Sequence, residues 1–233
     1  MNTVALLPMK AHSSRVKNKN FRTFAGKPLF QWILDTLTGL EEIDQVVINT
    51  DAREVLRAHG LEESDRVLIR DRKPELCGDE VSMNLVLADD VENISAESYL
   101  MTHTTNPLLS RATVRKALHR FHEGKKVGEG DSLFTVNRYQ TRFYREEGEP
   151  VNHDPDNLIP TQDLEPWYEE NSCLYLFSAE SFSKTGARIG ESPLFFETPA
   201  LESVDIDTEV EWHHAEVLAL SRLMFESHAS FSE

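Results

Sequence analysis

Short apolar runs alternate with amphipathic stretches through the first half of the chain. Thr3 to Leu7 is apolar throughout and too short for a helix, which predicts a buried strand. A polar stretch from Lys10 to Asn20 follows, and Pro28 then opens an amphipathic segment to about Leu37, predicting strand, loop and helix. Val46 to Asn49 predicts a second buried strand ending at Thr50-Asp51, with Asp51 as the cap of a helix to about His59. Arg66 to Ile69 reads as a third strand, and Asp79 precedes a helical pattern through Leu85 and Val91. The unit repeats once more, with Ser98 to Met101 as strand, Pro107-Leu108 as turn and Ala112 to Phe121 as helix.

Strands alternating with helices at this spacing require crossover connections, so the expected architecture is a three-layer α/β/α, Rossmann-like, nucleotide-binding fold with a mainly parallel sheet. Ligands of such sheets bind beyond the carboxyl ends of the strands, which directs the loops after Leu7, Asn49, Ile69 and Met101 to one crevice. The pattern changes from Leu133. Leu133 to Val136 reads as strand, Tyr139 to Tyr144 as an alternating extended segment, and Gly148 to Pro160 is rich in Pro, Asn and Asp. Together these predict a hairpin excursion. Leu174 to Phe177 returns as strand, Phe195-Phe196 as a short edge, and Thr208 caps a final helix from about Glu209 to Leu223. Residues 1–233 are read as one domain, with the Gly-rich and charged stretch Glu123 to Asp131 as an exposed connector.

Charge narrows the partners. Lys and Arg total 24 against 40 Asp and Glu, a formal charge of -16, so the protein as a whole repels nucleic acid and any phosphate site must be local. The apolar start from Met1 to Pro8 is too short for a membrane span and lacks the pattern of a signal peptide. Cys77 and Cys173 show no CxxC spacing, which suits a reducing compartment, and both read as buried thiols. A soluble, cytoplasmic protein with no membrane partner is expected.

Against that acidic background the first loop is basic, with Lys10, Arg15, Lys17 and Lys19. A triphosphate suits such a loop, with Ser13 and Ser14 as hydrogen-bond donors and the cations neutralising a leaving pyrophosphate. A solvated basic loop is the alternative, and the glycines and GK[ST] ending of a P-loop are missing. Asp205 and Asp207 are two apart, so on an extended segment both carboxylates point the same way, toward one hard cation such as Mg²⁺. The alternative is a helix N-terminus, with Asp207 or Thr208 capping and Glu209 and Glu211 favoured by the helix dipole. His213 and His214 are not spaced as metal ligands and read as surface residues.

Lys10 to Asn20, followed by Ala25-Gly26-Lys27-Pro28-Leu29, resembles the opening of the acylneuraminate and related ulosonic acid cytidylyltransferases. The similarity continues in that family's order. Asn49-Thr50-Asp51 resembles its Ser-Thr-Asp, Arg72 to Leu76 with Asp79 its Arg-Pro-x-x-Leu and Asp, Thr105-Asn106-Pro107-Leu108 its Thr-Ser-Pro-Leu, and Asp205 to Glu209 its Asp-Ile-Asp-Thr-Glu. The resemblance implies a fold of the nucleotide-diphospho-sugar transferase type and transfer of CMP from CTP to an acidic 2-keto sugar.

It also implies roles. Lys19 contacts the α-phosphate and Lys10 the triphosphate, with Arg15 beside them in the catalytic loop. Asn20 and Arg72 recognise the cytosine with help from Asp79 and Ser82, and Asp205 and Asp207 hold Mg²⁺. On the acceptor side the resemblance brings in His103, Thr104, Gln162, Asn171, Tyr175, Phe195 and Phe196. The excursion from about Arg138 to Gln162 resembles the family's dimerisation element, which implies a homodimer. An ion pair of Arg72 with Asp71 or Asp79, and plain core packing of the Phe pair, are the readings available without the resemblance.

The departures gather on the sugar side. His103 stands where sialic acid enzymes carry Gln, Thr161 where Arg is expected, Ser172 where Gly is expected, and Lys10 where the first basic residue is Arg. Arg15 resembles the Ser-x-Arg of the Kdo branch. The acceptor therefore stays open among sialic, pseudaminic, legionaminic and Kdo-type acids, with His103 as sugar contact or general base. A nucleotidyltransferase for another sugar or base, and a catalytically silent nucleotide-sugar binder, remain the alternatives.

Overall fold

The computed structural model describes residues 2–13 and 15–229. Along the chain the elements are β1 (Thr3–Leu6), the two-residue strands β2 (Thr23–Phe24) and β3 (Lys27–Pro28), α1 (Leu29–Thr38), β4 (Gln45–Thr50), α2 (Arg53–Ala58), β5 (Val67–Asp71), α3 (Met83–Asn93) and β6 (Ser98–Thr102). There follow α4 (Arg111–Lys126), β7 (Ser132–Tyr139), β8 (Trp167–Phe177), α5 (Ala179–Thr185), β9 (Pro193–Glu197) and α6 (Glu209–Ala229). Seven strands form one sheet in the order β5-β4-β1-β6-β8-β7-β9.

The first four strands pair in parallel, as their helical crossovers require. β8 enters antiparallel between β6 and β7, and β9 closes the edge in parallel with β7. Period-two alternation sorts the side chains into two cores. Ala5, Ile48, Leu100 and Leu176 meet α1 and α4 on one face, where Ile33, Leu37, Val114 and Phe121 are buried. Val4, Leu6, Tyr99 and Phe177 meet Leu87 of α3 and Phe182 of α5 on the other. α6 builds a third cluster, packing Trp212, Ala215 and Ala219 against Val16, Phe24 and Leu29.

Several local expectations are corrected. Asp51 does not cap α2, which starts after Ala52 without a side-chain cap; the Asp51 carboxylate instead accepts the Ala11 amide at 2.6 Å and ties down the first loop. Tyr139 is the last residue of β7, and residues 140–144 form no further strand; Tyr144 makes an isolated antiparallel bridge to Pro150, around a tight turn that the Arg145 amide closes on the Glu149 carbonyl at 2.8 Å. β8 is far longer than Leu174 to Phe177, since its first half pairs with the exposed end of β7. Cys173 is buried as expected, but Cys77 is half-buried. Among the described residues no helix is long and apolar enough to cross a membrane.

Candidate active site

Two segments from opposite ends of the chain build the site. The first loop leaves β1, passes Val16, which is buried in the α6 cluster, and turns through Asn18 at φ 53° into a single 3-10 turn over Lys19–Phe21. Phe21 anchors that turn edge-on against Phe30 of α1, 5.9 Å between ring centroids. Beyond it, Arg22 donates to both Glu209 oxygens at 2.7 and 2.8 Å and lies 4.3 Å above the Trp212 ring, while the Ala25 amide donates to Glu216 at 3.0 Å. The loop is thus fastened to α6 on one side and to α1 on the other.

The second segment runs from Asp205 to Thr208. Ile206 is fully buried in the α6 cluster, and its amide donates to the Thr105 carbonyl at 3.0 Å. Its neighbours Asp205 and Asp207 both line the cleft, the alternation that residues two apart on extended backbone show. Thr208 then caps α6: its hydroxyl accepts the Glu211 amide at 3.2 Å, and Glu211 accepts the Thr208 and Asp207 amides at 2.8 Å each. This capping box satisfies helix donors with Glu211, so the Asp207 side chain is left for the cleft.

Lys19 is 8% exposed, and its ammonium donates to the Ile206 carbonyl at 2.6 Å and to Asp207 Oδ1 at 3.1 Å. Arg15 takes the other oxygen of the same carboxylate at 2.8 Å. Lys10 pairs with Asp79 at 2.9 Å, which holds the Asp79 carboxyl below its ordinary range. The resulting cleft, about 340 Å³, is lined among others by Lys10, Ser13, Arg15, Lys19, His103 and Asp205. Burial raises the pKa of Asp205, and the nearby Asp207 charge adds to this, while a Thr105 hydrogen bond and Lys19 oppose it. Burial, reinforced by the cations of Arg188 and Lys19, lowers His103 to about 4, so its imidazole is neutral at physiological pH.

The remaining expected residues divide between the cleft and its supports. Ser14 lies outside the described residues. Asn20 lines the cleft, but its amide nitrogen donates to the Lys10 carbonyl at 2.8 Å and its oxygen accepts from Thr104 at 2.7 Å, so Asn20 and Thr104 brace the loop. Arg72 is buried beneath the cleft and donates to the Asn49 side chain at 2.9 Å and its carbonyl at 2.7 Å rather than to Asp71 or Asp79; burial lowers its pKa. Ser82 caps α3, accepting the Asn84 amide at 3.3 Å.

On the sugar side, Asn171 is turned inward. Its amide donates to Asn137 at 3.0 Å and Thr198 at 2.6 Å, and its oxygen accepts the Cys173 amide at 3.2 Å. These bonds hold an irregularity where Thr135 alone faces the chain between Glu170 and Tyr175. Ser172, at φ 58°, occupies the left-handed backbone region there, which explains why a glycine suits this position, and it lines the cleft. Tyr175 is fully buried against Arg188 and Glu170. Phe195 and Phe196 are not a pair in space: Phe195 is exposed against Phe134 and Tyr168, and Phe196 packs on the main core from the other face. Gln162 is exposed in the excursion, where its carbonyl accepts from Gln140 at 2.8 Å, and it does not line the cleft. Of the other cleft residues, Met83 carried no motif that singled it out, and His12 sits within the Lys10 to Asn20 loop without an assigned role.

A larger cavity, about 690 Å³, lies between α1, α4 and α6 and is lined by Trp32, Pro107, Leu109 and Leu223, with Asp35 already paired to Lys27. It does not adjoin the Asp205–Asp207 pair, and we place the chemistry in the smaller cleft.

The family profile described as Cytidylyltransferase matches residues 4–228 of the chain. The chain belongs to the cytidylyltransferase family. This cytidylyltransferase is 22% identical over 229 residues to a protein of Campylobacter jejuni named pseudaminic acid cytidylyltransferase, covering 94% of this chain and 96% of that one. It is 26% identical over 223 residues to the N-acylneuraminate cytidylyltransferase of Oncorhynchus mykiss, covering 91% of this chain but only 49% of that longer protein. Among solved structures, one titled CMP:2-keto-3-deoxy-manno-octonic acid synthetase complexed with CTP superposes with a TM-score of 0.67 at 13% identity, covering 95% of this chain and 100% of the other. A 4-diphosphocytidyl-2C-methyl-D-erythritol synthase of Anaerococcus prevotii superposes at 0.64 with 10% identity, covering 93% and 97%. At such identities these likenesses concern the fold, which is the α/β/α nucleotidyltransferase arrangement.

Proposed function

We propose that this cytidylyltransferase joins CMP from CTP to the anomeric hydroxyl of an acidic 2-keto sugar of the sialic, pseudaminic, legionaminic or Kdo type, releasing pyrophosphate. The observation that carries this reading is the meeting of Lys19 and Arg15 with the Asp205–Asp207 pair in one cleft. The names of the relatives supply the acceptor class.

The reaction forms a bond from the anomeric oxygen to the α-phosphorus and breaks the bond to the leaving pyrophosphate. Its barrier falls mainly through positioning and charge neutralisation. Lys10, Arg15 and Ser13 are assigned to the triphosphate, and Lys19, held by the Ile206 carbonyl, to the charge on the five-coordinate phosphorus. The phosphates compete with Asp207 for Lys19 and Arg15, and so release that carboxylate.

Asp205 and Asp207 fit Mg²⁺. Asp205 Oδ1 is buried with no hydrogen-bond partner among the described residues, which suits a hard cation and wastes a carboxylate otherwise. Among the described residues no group of three or more protein ligands gathers, so these two carboxylates would hold Mg²⁺ only together with water and phosphate oxygens. Bound there, Mg²⁺ supplies Lewis-acid neutralisation of phosphate oxygens and makes the acceptor hydroxyl easier to deprotonate. The neutral His103 offers one lone-pair nitrogen, assigned here to a hydrogen bond with the acceptor.

The reading includes a homodimer. Tyr139 and Trp167 pair on one face of the outer sheet and Tyr168 and Phe195 meet on the other, each two-fifths exposed or more, so apolar surface flanks this end of β7, β8 and β9 on both sides for a second copy to cover.

The deciding experiment offers the purified chain CTP, UTP or GTP with a panel of keto acids and sugar 1-phosphates, reading pyrophosphate with Mg²⁺ and with EDTA. Release with CTP and a keto acid only, lost in EDTA, supports the reading. Preference for UTP, GTP or a sugar 1-phosphate assigns another nucleotidyltransferase, and CTP binding without any release assigns a silent binder.

A further inference from the structure

A second cavity, about 290 Å³, adjoins the cleft, and Met83 lines both. Ser82, Asn84, Glu170, Ala187, Arg188 and Ile189 form its other walls. Arg188 is the unusual member. Its guanidinium carbon lies 3.9 Å from the centroid of the Tyr175 ring, and its NH2 donates to the Tyr175 hydroxyl at 3.0 Å. The Tyr175 hydroxyl in turn donates to Glu170 and lies 3.1 Å from the Ser172 hydroxyl. Arg188 stands 3.7 Å from the same Glu170 oxygen, beyond hydrogen-bond reach.

Glu170 is therefore engaged by tyrosine more closely than by arginine. Among the described residues, the polar contacts of the Arg188 guanidinium all run through NH2, leaving Nε and NH1 uncommitted. Its side chain is only 20% exposed, and the Tyr175 ring holds it in place. A largely buried, stacked guanidinium with half its fork unused is arranged for a planar anion, since two parallel N–H donors match a carboxylate. The phosphates of CTP already have Lys10, Arg15 and Lys19 across the cleft. Ser172, 3.1 Å from the Tyr175 hydroxyl, lines the cleft, so the Arg188 cluster reaches its wall.

We propose that Arg188 is a specificity-determining residue that pairs with the carboxylate of the acceptor, with Tyr175 and Glu170 as positioning residues. This rests on the transfer reading above, and the acceptor class it selects is a sugar acid rather than a neutral sugar.

The test uses the full chain and the keto acid that the wild type turns over best, alongside its methyl ester, in wild type, Arg188→Met and Arg188→Lys. Arg188→Met is expected to raise KM for the acid roughly 30-fold or more, the scale for removing one partner of a buried charge pair, with KM for CTP unchanged. Wild type is expected to prefer acid over ester by a similar factor, Arg188→Met to lose that preference, and Arg188→Lys to keep part of it. An unchanged acceptor KM in Arg188→Met, or equal preference for acid over ester in wild type and variant, overturns the role of Arg188 while transfer stands. Should Arg188→Met fail to bind CTP through misfolding, the wild-type comparison decides: equal use of acid and ester overturns the proposal. A wild type that turns over no keto acid at all overturns the transfer reading, and this one with it.

Discussion

Lys19 Nζ and Asp207 Oδ1 lie 3.1 Å apart, although 188 positions of sequence separate the two residues. The first loop and the segment before the last helix therefore form one electrostatic unit, in which a cation for phosphate and a carboxylate for metal neutralise each other until a ligand divides them.

Replacing the cation tests that unit directly. Lys19→Ala is expected to lower turnover by two to three powers of ten, about the cost of removing one transition-state donor. It also leaves the buried Ile206 carbonyl without its donor, at a cost of about 1–3 kcal/mol in stability. Pyrophosphate release and urea unfolding measure the two effects; near-normal turnover in a folded variant rejects the role.

Asp205 gives a prediction of opposite sign for stability. Its folded pKa is raised, chiefly by burial, above the ordinary 3.8, so its contribution is most favourable when protonated and is lost as pH rises through the folded value. At pH 7, Asp205→Asn is expected to melt higher than wild type in EDTA and to lose the stabilisation that Mg²⁺ with CTP confers on wild type. Thermal shift in the four conditions reads both, and an unaltered Mg²⁺ response would remove Asp205 from the metal site.

His103 carries a pH dependence. Its folded pKa, about 4, lies below the ordinary 6.5, so the unfolded chain binds the extra proton between those values. Stability is present above pH 6.5 and declines as pH falls toward 4, by at most about 3 kcal/mol from this group. His103→Gln is expected to lose less stability between pH 7 and pH 5 than wild type does, as measured by chemical denaturation at each pH.

The cap of α6 supports the site through the backbone. Thr208→Ala removes the hydroxyl that accepts the Glu211 amide and is expected to cost about 1 kcal/mol. Because Glu211 also holds the Asp207 amide, the variant should weaken Mg²⁺ dependence before it weakens CTP binding. Titrations of Mg²⁺ and CTP on the variant compare the two.

The exposed aromatics on the outer strands predict association. Light scattering at micromolar concentration should give twice the mass of one chain, and Trp167→Glu should shift the equilibrium toward monomer by placing a charge where apolar surface is covered. A wild-type chain that stays monomeric rejects the dimer.

The sequence by itself determined what repeats locally. Runs of three or four apolar residues between amphipathic stretches are enough to place β1, β4, β5 and β6 with their helices, because a parallel strand is buried on both faces. The Asp205-Ile206-Asp207 alternation and the Thr208–Glu211 box were legible for the same reason, since both depend on spacing within a few residues. What only the tertiary structure decided are partners brought from afar. β8 enters antiparallel between β6 and β7; Asn171 and Arg72 are spent on holding backbone, and Phe195 and Phe196 part to opposite faces of an edge strand. Arg188 meets Tyr175 and Glu170 only across the end of α5, and His103 is lowered to about 4 first by burial and then by two distant cations. Hydrogen bonding and desolvation depend on three-dimensional neighbours, and no periodicity along the chain encodes which neighbours those are.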